Sequence, residues 1–176
     1  MGNKSNFLNF VGDRYSVRKF TSEPVKQGDL DKILKIGHLA PTACNLQPQR
    51  ILVINNEEGI EKLKKCTRCH FDASTALIIG YSKEEAWKRK YDGKGSGEID
   101  ASIVTTHMML AAHDIGVGTT WVMHYIPEAV QIEFEIPEDI EVIAILVMGY
   151  PAEDAKPYPG HSEFRPMEEV VSYNKF

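Results

Sequence analysis

Two guanidinium groups flank a hydroxyl at alternate positions in Arg14-Tyr15-Ser16-Val17-Arg18. On an extended segment, alternation puts Arg14, Ser16 and Arg18 on one side. Planar donor forks with a neighbouring hydroxyl suit a phosphate, although a lone R-x-S-x-R is more commonly a solvated basic stretch. A second cluster is Ala40-Pro41-Thr42-Ala43-Cys44-Asn45-Leu46-Gln47-Pro48. Its prolines set an irregular turn, and the amides of Asn45 and Gln47 can both donate and accept, as a planar heterocycle requires. The plainer reading is a helix-terminating loop. The third cluster, Cys66-Thr67-Arg68-Cys69-His70, matches the C-x-x-C-H string of covalent haem attachment, and C-x-x-C also serves as a redox pair or half a zinc site. Haem attachment of that kind needs export to an oxidising compartment. Three cysteines in the chain cannot supply a four-thiolate cluster, while Cys44, Cys66, Cys69 and His70 would make a Cys3His zinc site without the usual second C-x-x-C. No metal is therefore expected.

Among the other histidines, His38 is expected as a hydrogen-bonded core residue, and His107 and His113 lack a partner at metal-ligand spacing. His124 is a candidate beside a ligand because imidazole titrates near neutral pH. The chain has no G-x-S-x-G, H-E-x-x-H or Walker loop, so nothing points to a hydrolase of those classes.

These clusters need a scaffold. The 176 residues carry 20 Lys plus Arg against 25 Asp plus Glu, a net charge of −5, and 43% are apolar. That composition describes one globular domain with a sizeable core, covering residues 1–176. The acidic balance, with no block of basic residues, is wrong for nucleic acid, and no apolar run is long enough for a membrane span. The opening Met1-Gly2-Asn3-Lys4-Ser5-Asn6-Phe7 lacks the apolar stretch of a secretory signal, and the odd cysteine count argues for a reducing, cytoplasmic setting.

Apolar Leu30, Ile33, Leu34 and Gly37 predict an amphipathic helix from Asp29 to Ala40, stopped by Pro41. Strands are expected at Arg50 to Ile54, Thr75 to Tyr81 and Ile140 to Met148. Helices are expected from Glu57 to about Lys65, from Glu98 to Asp114 and from Pro127 to about Phe134. The Glu98 helix is apolar on most sides, which calls for burial in a core or between subunits. The tail from Pro151 to Phe176 keeps Phe164, Met167, Val170, Val171, Tyr173 and Phe176, too many apolar anchors for a free end. The sum is an α+β protein with helices covering a small sheet.

Six features stand in one order: R-x-S-x-R-x-F from Arg14, the A-P-T-x-x-N-x-Q-P loop, Phe71-Asp72-Ala73 before a strand, Asp100-Ala101 opening a helix, Gly116-Val117-Gly118-Thr119-Thr120-Trp121 ending it, and Arg165-Pro166 with Glu168-Glu169-Val170-Val171. From about Asp13 to Val171 the chain resembles the FMN-dependent nitroreductase family. The resemblance implies a mainly antiparallel central sheet flanked by helices, in an intertwined homodimer with FMN at the subunit interface. It further implies a C-terminal extension, residues 151–176, docked on the dimer. NADH or NADPH would pass hydride to flavin N5, and a small nitroaromatic or quinone-like substrate would be reduced in a ping-pong cycle. No protein residue need be catalytic, because the cofactor carries the chemistry.

By the same resemblance, Arg14, Tyr15, Ser16 and Arg18 match the phosphate and ribityl segment, and Arg165 matches a C-terminal phosphate arginine. Pro41, Thr42, Ala43 and Asn45 match the loop reaching the neighbour's flavin, and Thr120, Trp121, Val122 and Met123 match the segment passing the ring edge. Two departures stand out. Glu163 sits two positions before Arg165, where larger members carry a lysine. The interval between Tyr81 and Asp100 is too short for the helical lid of larger members. These departures motivate the alternative of a flavin-binding protein without efficient turnover.

Overall fold

The computed structural model describes residues 7–176, so the Met1 to Asn6 opening lies outside the described residues. Its centre is a four-stranded antiparallel sheet in the order β1-β2-β4-β3, with β1 at Gln49–Ile54, β2 at Thr75–Ser82, β3 at Gly118–Val122 and β4 at Ile140–Gly149. The fold is α+β, as expected. Helices α1 (Phe7–Asp13), α2 (Gln27–His38), α3 (Glu57–Cys66), α4 (Gly97–Asp114), α5 (Pro127–Glu133) and α6 (Met167–Val170) complete the chain.

Side chains on β2 and β4 alternate between two buried faces, and this explains why both strands read as continuous apolar runs. Leu77, Ile79, Ala144, Leu146 and Met148 pack in one cluster with Leu30 and Ile33 of α2 and Val104, Met108 and Ala112 of α4. Ala76, Ile78, Ile145 and Val147 point the other way, into a cluster with Leu63 of α3 and Val130 of α5. A Cβ on Gly37 would lie 2.5 Å from Met108 Cγ, so only glycine lets α2 and α4 approach this closely. His38, expected in the core, is instead exposed. The buried stripe of α2 runs through Leu30, Ile33 and Gly37, and the next residue turns about 100° away from it.

The sequence reading placed Gly116 to Trp121 at the end of the long helix. In the structure Gly116, at φ +78, ends the helix turn, and β3 follows as an edge strand paired to β4 with Thr119 opposite Met148. α1 was not foreseen, and it buries no residue. The β2–α4 connection is a compact turn closed by Ser96 N–H to Trp87 O at 2.8 Å and Arg89 N–H to Lys94 O at 3.0 Å, with no helical lid.

The last segment divides in two. Ala152 N–H donates to Lys19 O at 3.1 Å, and Tyr15 and His161 rings lie 6.3 Å apart, so the first half lies along the arginine segment of its own chain. Residues 163–176 are exposed throughout, including Phe164 and Tyr173, at 85% and 84%. Among the described residues no helix is long and apolar enough to cross a membrane.

Candidate functional site

The segment from Arg14 to Phe20 runs beside the free edge of β3. Val17 N–H donates to Thr119 O at 2.9 Å, and Ser16 bridges Thr119 in parallel. Gly118 makes this approach possible, since a Cβ there would stand 2.7 Å from Val17 Cγ2. Val17 is buried, and the alternation expected from the sequence turns Ser16 and its flanking arginines the other way. Arg14, Tyr15 and Ser16 are half-buried and Arg18 is exposed. Among the described residues neither Arg14 nor Arg18 forms an ion pair. Among the described residues Arg18 donates only to Ser16 O, at 3.3 Å. Arg14 lines a cavity of about 220 Å³ with Tyr15, His113, Gly118 and Pro151. Two guanidiniums without carboxylate partners and a serine hydroxyl fit a phosphate dianion.

The loop after α2 is held in an unusual shape. Cys44, Asn45 and Gln47 all have φ between 51° and 55°, a left-handed conformation that costs energy for any residue with a Cβ. Asn45 N–H donates to Thr42 O at 3.0 Å, Gln47 N–H to Thr42 Oγ1 at 3.1 Å, and Ala43 N–H to Asp100 Oδ1 at 2.9 Å. Pro41 and Asn45 are exposed, and Thr42 and Ala43 half-buried. Gln47 turns back on the loop, donating to Asn45 O at 3.2 Å. The sequence showed Asp100 only as the start of a helix; its anchoring of the loop was missed.

These two halves do not meet within one chain. The loop is tied to Asp100 at the first turn of α4, whereas Arg14 shares its cavity with His113 at the other end of the same helix. From residue 100 to 113 a helix rises about 20 Å at 1.5 Å per residue. Arg165 joins neither half. It is exposed, lies 3.8 Å from Glu169, and faces the carboxylate one helical turn away rather than Glu163.

In the third stretch, Thr120 Oγ1 donates to Val17 O, and Val122 packs into the α3–α5 cluster. Trp121 packs against the α2–α4 cluster and Met123 is exposed. The main chain of Trp121 shares the outer edge of β3 with Thr119, two residues away.

The Cys66 to His70 stretch starts on the last residue of α3 and continues as the turn after it. Cys66 is fully buried, and burial pushes its thiol pKa up, which disfavours a reactive thiolate. Thr67 Oγ1 donates to His124 O at 2.6 Å and accepts from Cys69 N–H at 2.9 Å, stapling the turn to the segment after β3. His70 Nδ1 accepts from Asp72 N–H at 3.0 Å. Among the described residues no three His, Cys, Asp or Glu side chains are grouped to hold a metal. His124 itself is exposed.

Comparison with known proteins places this arrangement. A family model described as the nitroreductase family matches residues 11–77 and 64–150. A crystal structure of a nitroreductase family protein from Clostridium difficile 630 is 38% identical, with a TM-score of 0.91 over 97% of this chain and 99% of that one. An FMN-dependent nitroreductase from Clostridium difficile R20291 is 26% identical, with a TM-score of 0.78 over 96% and 99%. A curated relative from Archaeoglobus fulgidus, provisionally named NADH dehydrogenase/NAD(P)H nitroreductase, is 29% identical over 166 residues, covering 90% of this chain and 93% of its own. With the model matching from the arginine segment to the end of β4, and with the same fold found in solved members, the chain belongs to the nitroreductase family.

Proposed function

We propose that this oxidoreductase is a homodimer with FMN at each of two shared sites, using NADH or NADPH to reduce a small oxidised substrate of nitroaromatic or quinone type. The observation that carries this reading is the division of the donor set between opposite ends of α4. A second copy lying antiparallel along α4 would bring its loop from Pro41 to Asn45 beside the first copy's Arg14, Ser16 and Arg18. The surface that such a partner would cover is apolar. Ile99 of α4 is 56% exposed, Ile36 of α2 39%, and Phe7 and Leu8 of α1 64% and 79%. Exposed apolar area of this extent is typical of an association face.

In this dimer Arg14 and Arg18 bind the phosphate, with Ser16 as a further donor. The main chain at Trp121 and Met123 and the partner's loop would hold the flavin ring. When bound, FMN supplies the redox chemistry, taking hydride from the nicotinamide at N5 and handing reducing equivalents to the oxidised substrate. The protein's part is to orient the ring and surround it with donors, and no side-chain acid or base is assigned. The C-terminal segment from Glu163 would cover its apolar residues on the partner, carrying Arg165 towards that partner's phosphate.

The purified protein is expected to be yellow, to carry about one FMN per chain and to elute as a dimer, and to bleach rapidly with NADH or NADPH. A colourless monomer that fails to bind added FMN would contradict the proposal. FMN held oxidised in the presence of both nicotinamides would instead fit a sequestering protein.

A further inference from the structure

The left-handed loop and the buried carboxylate beneath it are one device. Asp100 is 2% exposed. Its Oδ1 accepts from Ala43 N–H at 2.9 Å and its Oδ2 from Ser96 Oγ at 2.7 Å, while its own N–H donates to Ser96 O at 2.8 Å. Both carboxylate oxygens are thus engaged, and the group sits in the first turn of an 18-residue helix, where the positive end of the dipole favours an anion. From this point the loop enters three left-handed non-glycine residues within four positions, Cys44, Asn45 and Gln47. Such a stretch persists only where its surroundings over-determine it. Within the loop the supports are Asn45 N–H to Thr42 O and Gln47 N–H to Thr42 Oγ1. The far end of the loop is held at Pro48 O, which accepts from Ser82 N–H at 2.8 Å and Arg50 Nη1 at 3.3 Å. Over residues 41–47, the only side chain from elsewhere in the chain seen to hydrogen-bond it, among the described residues, is Asp100.

We infer that Asp100 is a positioning residue for the flavin site of the neighbouring subunit: its carboxylate fixes the shape in which Thr42, Ala43 and Asn45 are presented across the interface. It touches no cofactor and acts through Ala43. The inference rests on the shared-site reading above. It adds that the loop's affinity for flavin is set from the first turn of α4, a place the sequence marks only as a helix start.

The experiment compares Asp100→Ala with Asp100→Asn in the full-length protein. Asparagine keeps an oxygen that can accept from Ala43, and its amide can donate to Ser96 Oγ in place of accepting from it. Alanine leaves the Ala43 N–H unpaired and the left-handed stretch supported only by Thr42 within the loop and by the bonds at Pro48 O. Two readouts are taken on flavin-stripped protein, FMN affinity by fluorescence titration and the rate at which exposed Cys44 reacts with an aromatic disulfide. Cys44→Ser is run beside them to subtract Cys66 and Cys69. Asp100→Ala is expected to bind FMN about tenfold more weakly and to change the Cys44 rate severalfold, and Asp100→Asn to stay within about twofold of the parent in both. Parent-like behaviour of Asp100→Ala in both readouts would overturn the inference. So would an Asp100→Asn protein of unchanged melting temperature that loses as much FMN affinity as alanine. Failure of the parent protein to bind FMN would overturn the shared-site reading itself, a different result from either.

Discussion

Gly97→Ala is expected to lower the melting temperature by roughly 6–12 °C, corresponding to about 3 kcal/mol at the usual 2–4 °C per kcal/mol for a chain of this size. Gly97 is the first residue of α4. A Cβ built there would stand 2.0 Å from Tyr81 Cδ2, 2.2 Å from Cε2 and 2.6 Å from Cγ, well inside any real carbon–carbon contact. The ring cannot swing aside freely, because Tyr81 packs against the α2–α4 core and its hydroxyl donates to Glu141 Oε2 at 2.9 Å. Burial and that carboxylate push the Tyr81 pKa up to about 12, so the hydroxyl stays protonated and the bond persists across the neutral range. The double variant Gly97→Ala with Tyr81→Ala removes the obstructing ring, and its loss should fall short of the sum of the two single losses. Thermal denaturation of the four proteins checks this. A single Gly97→Ala variant melting within 2 °C of the parent would show that α4 can shift without cost.

Arg14→Ala is expected to weaken FMN binding about 10- to 150-fold, the equivalent of 1.5–3 kcal/mol for a lost charge-assisted hydrogen bond. Arg14 is half-buried in the cavity beside His113 and forms no ion pair among the described residues. Its removal should therefore leave the fold within about 0.5 kcal/mol of the parent. Arg14→Lys should recover only part of the affinity, because an ammonium keeps the charge but not the planar fork. Fluorescence titration reads both variants, and an unchanged affinity in Arg14→Ala would remove the residue from the phosphate site.

Much of the scaffold could be read from periodicity, because α2, α3, β1, β2, α4 and β4 each bury a regular face or a continuous run. Their ends in the structure fall within two residues of the expected positions. β3 escaped because five residues after a helix-stopping glycine carry little pattern of their own, and the strand exists through pairing with β4 more than twenty residues later. α1 escaped because its apolar residues meet no core within the chain. For the proposed site, residue types and spacing marked the arginine segment and the loop after α2 as candidates only, and the ordered resemblance to a family joined them. What could not be read was that Asp100 and His113 tie them to opposite ends of one helix. Whether two motifs share a site depends on the length of the element between them, a tertiary fact. The tail was readable as apolar, yet its exposure from residue 163 onward follows only from where the rest of the chain ends its packing.

The central claim is that each flavin site draws on two chains, and complementation tests it most directly. Asn45→Pro should break the loop, because proline fixes φ near −65° against the observed 55° and deletes the N–H that donates to Thr42 O. Differently tagged Arg14→Ala and Asn45→Pro chains are co-expressed, mixed dimers are isolated through both tags, and FMN bound per dimer is measured by titration. A site shared between chains leaves the mixed dimer with one wholly intact site and one carrying both changes. The expected result is therefore one FMN per mixed dimer, bound at parental affinity. If each site were built within a single chain, every site in the mixed dimer would carry one change, and the absence of any site of parental affinity would contradict the account.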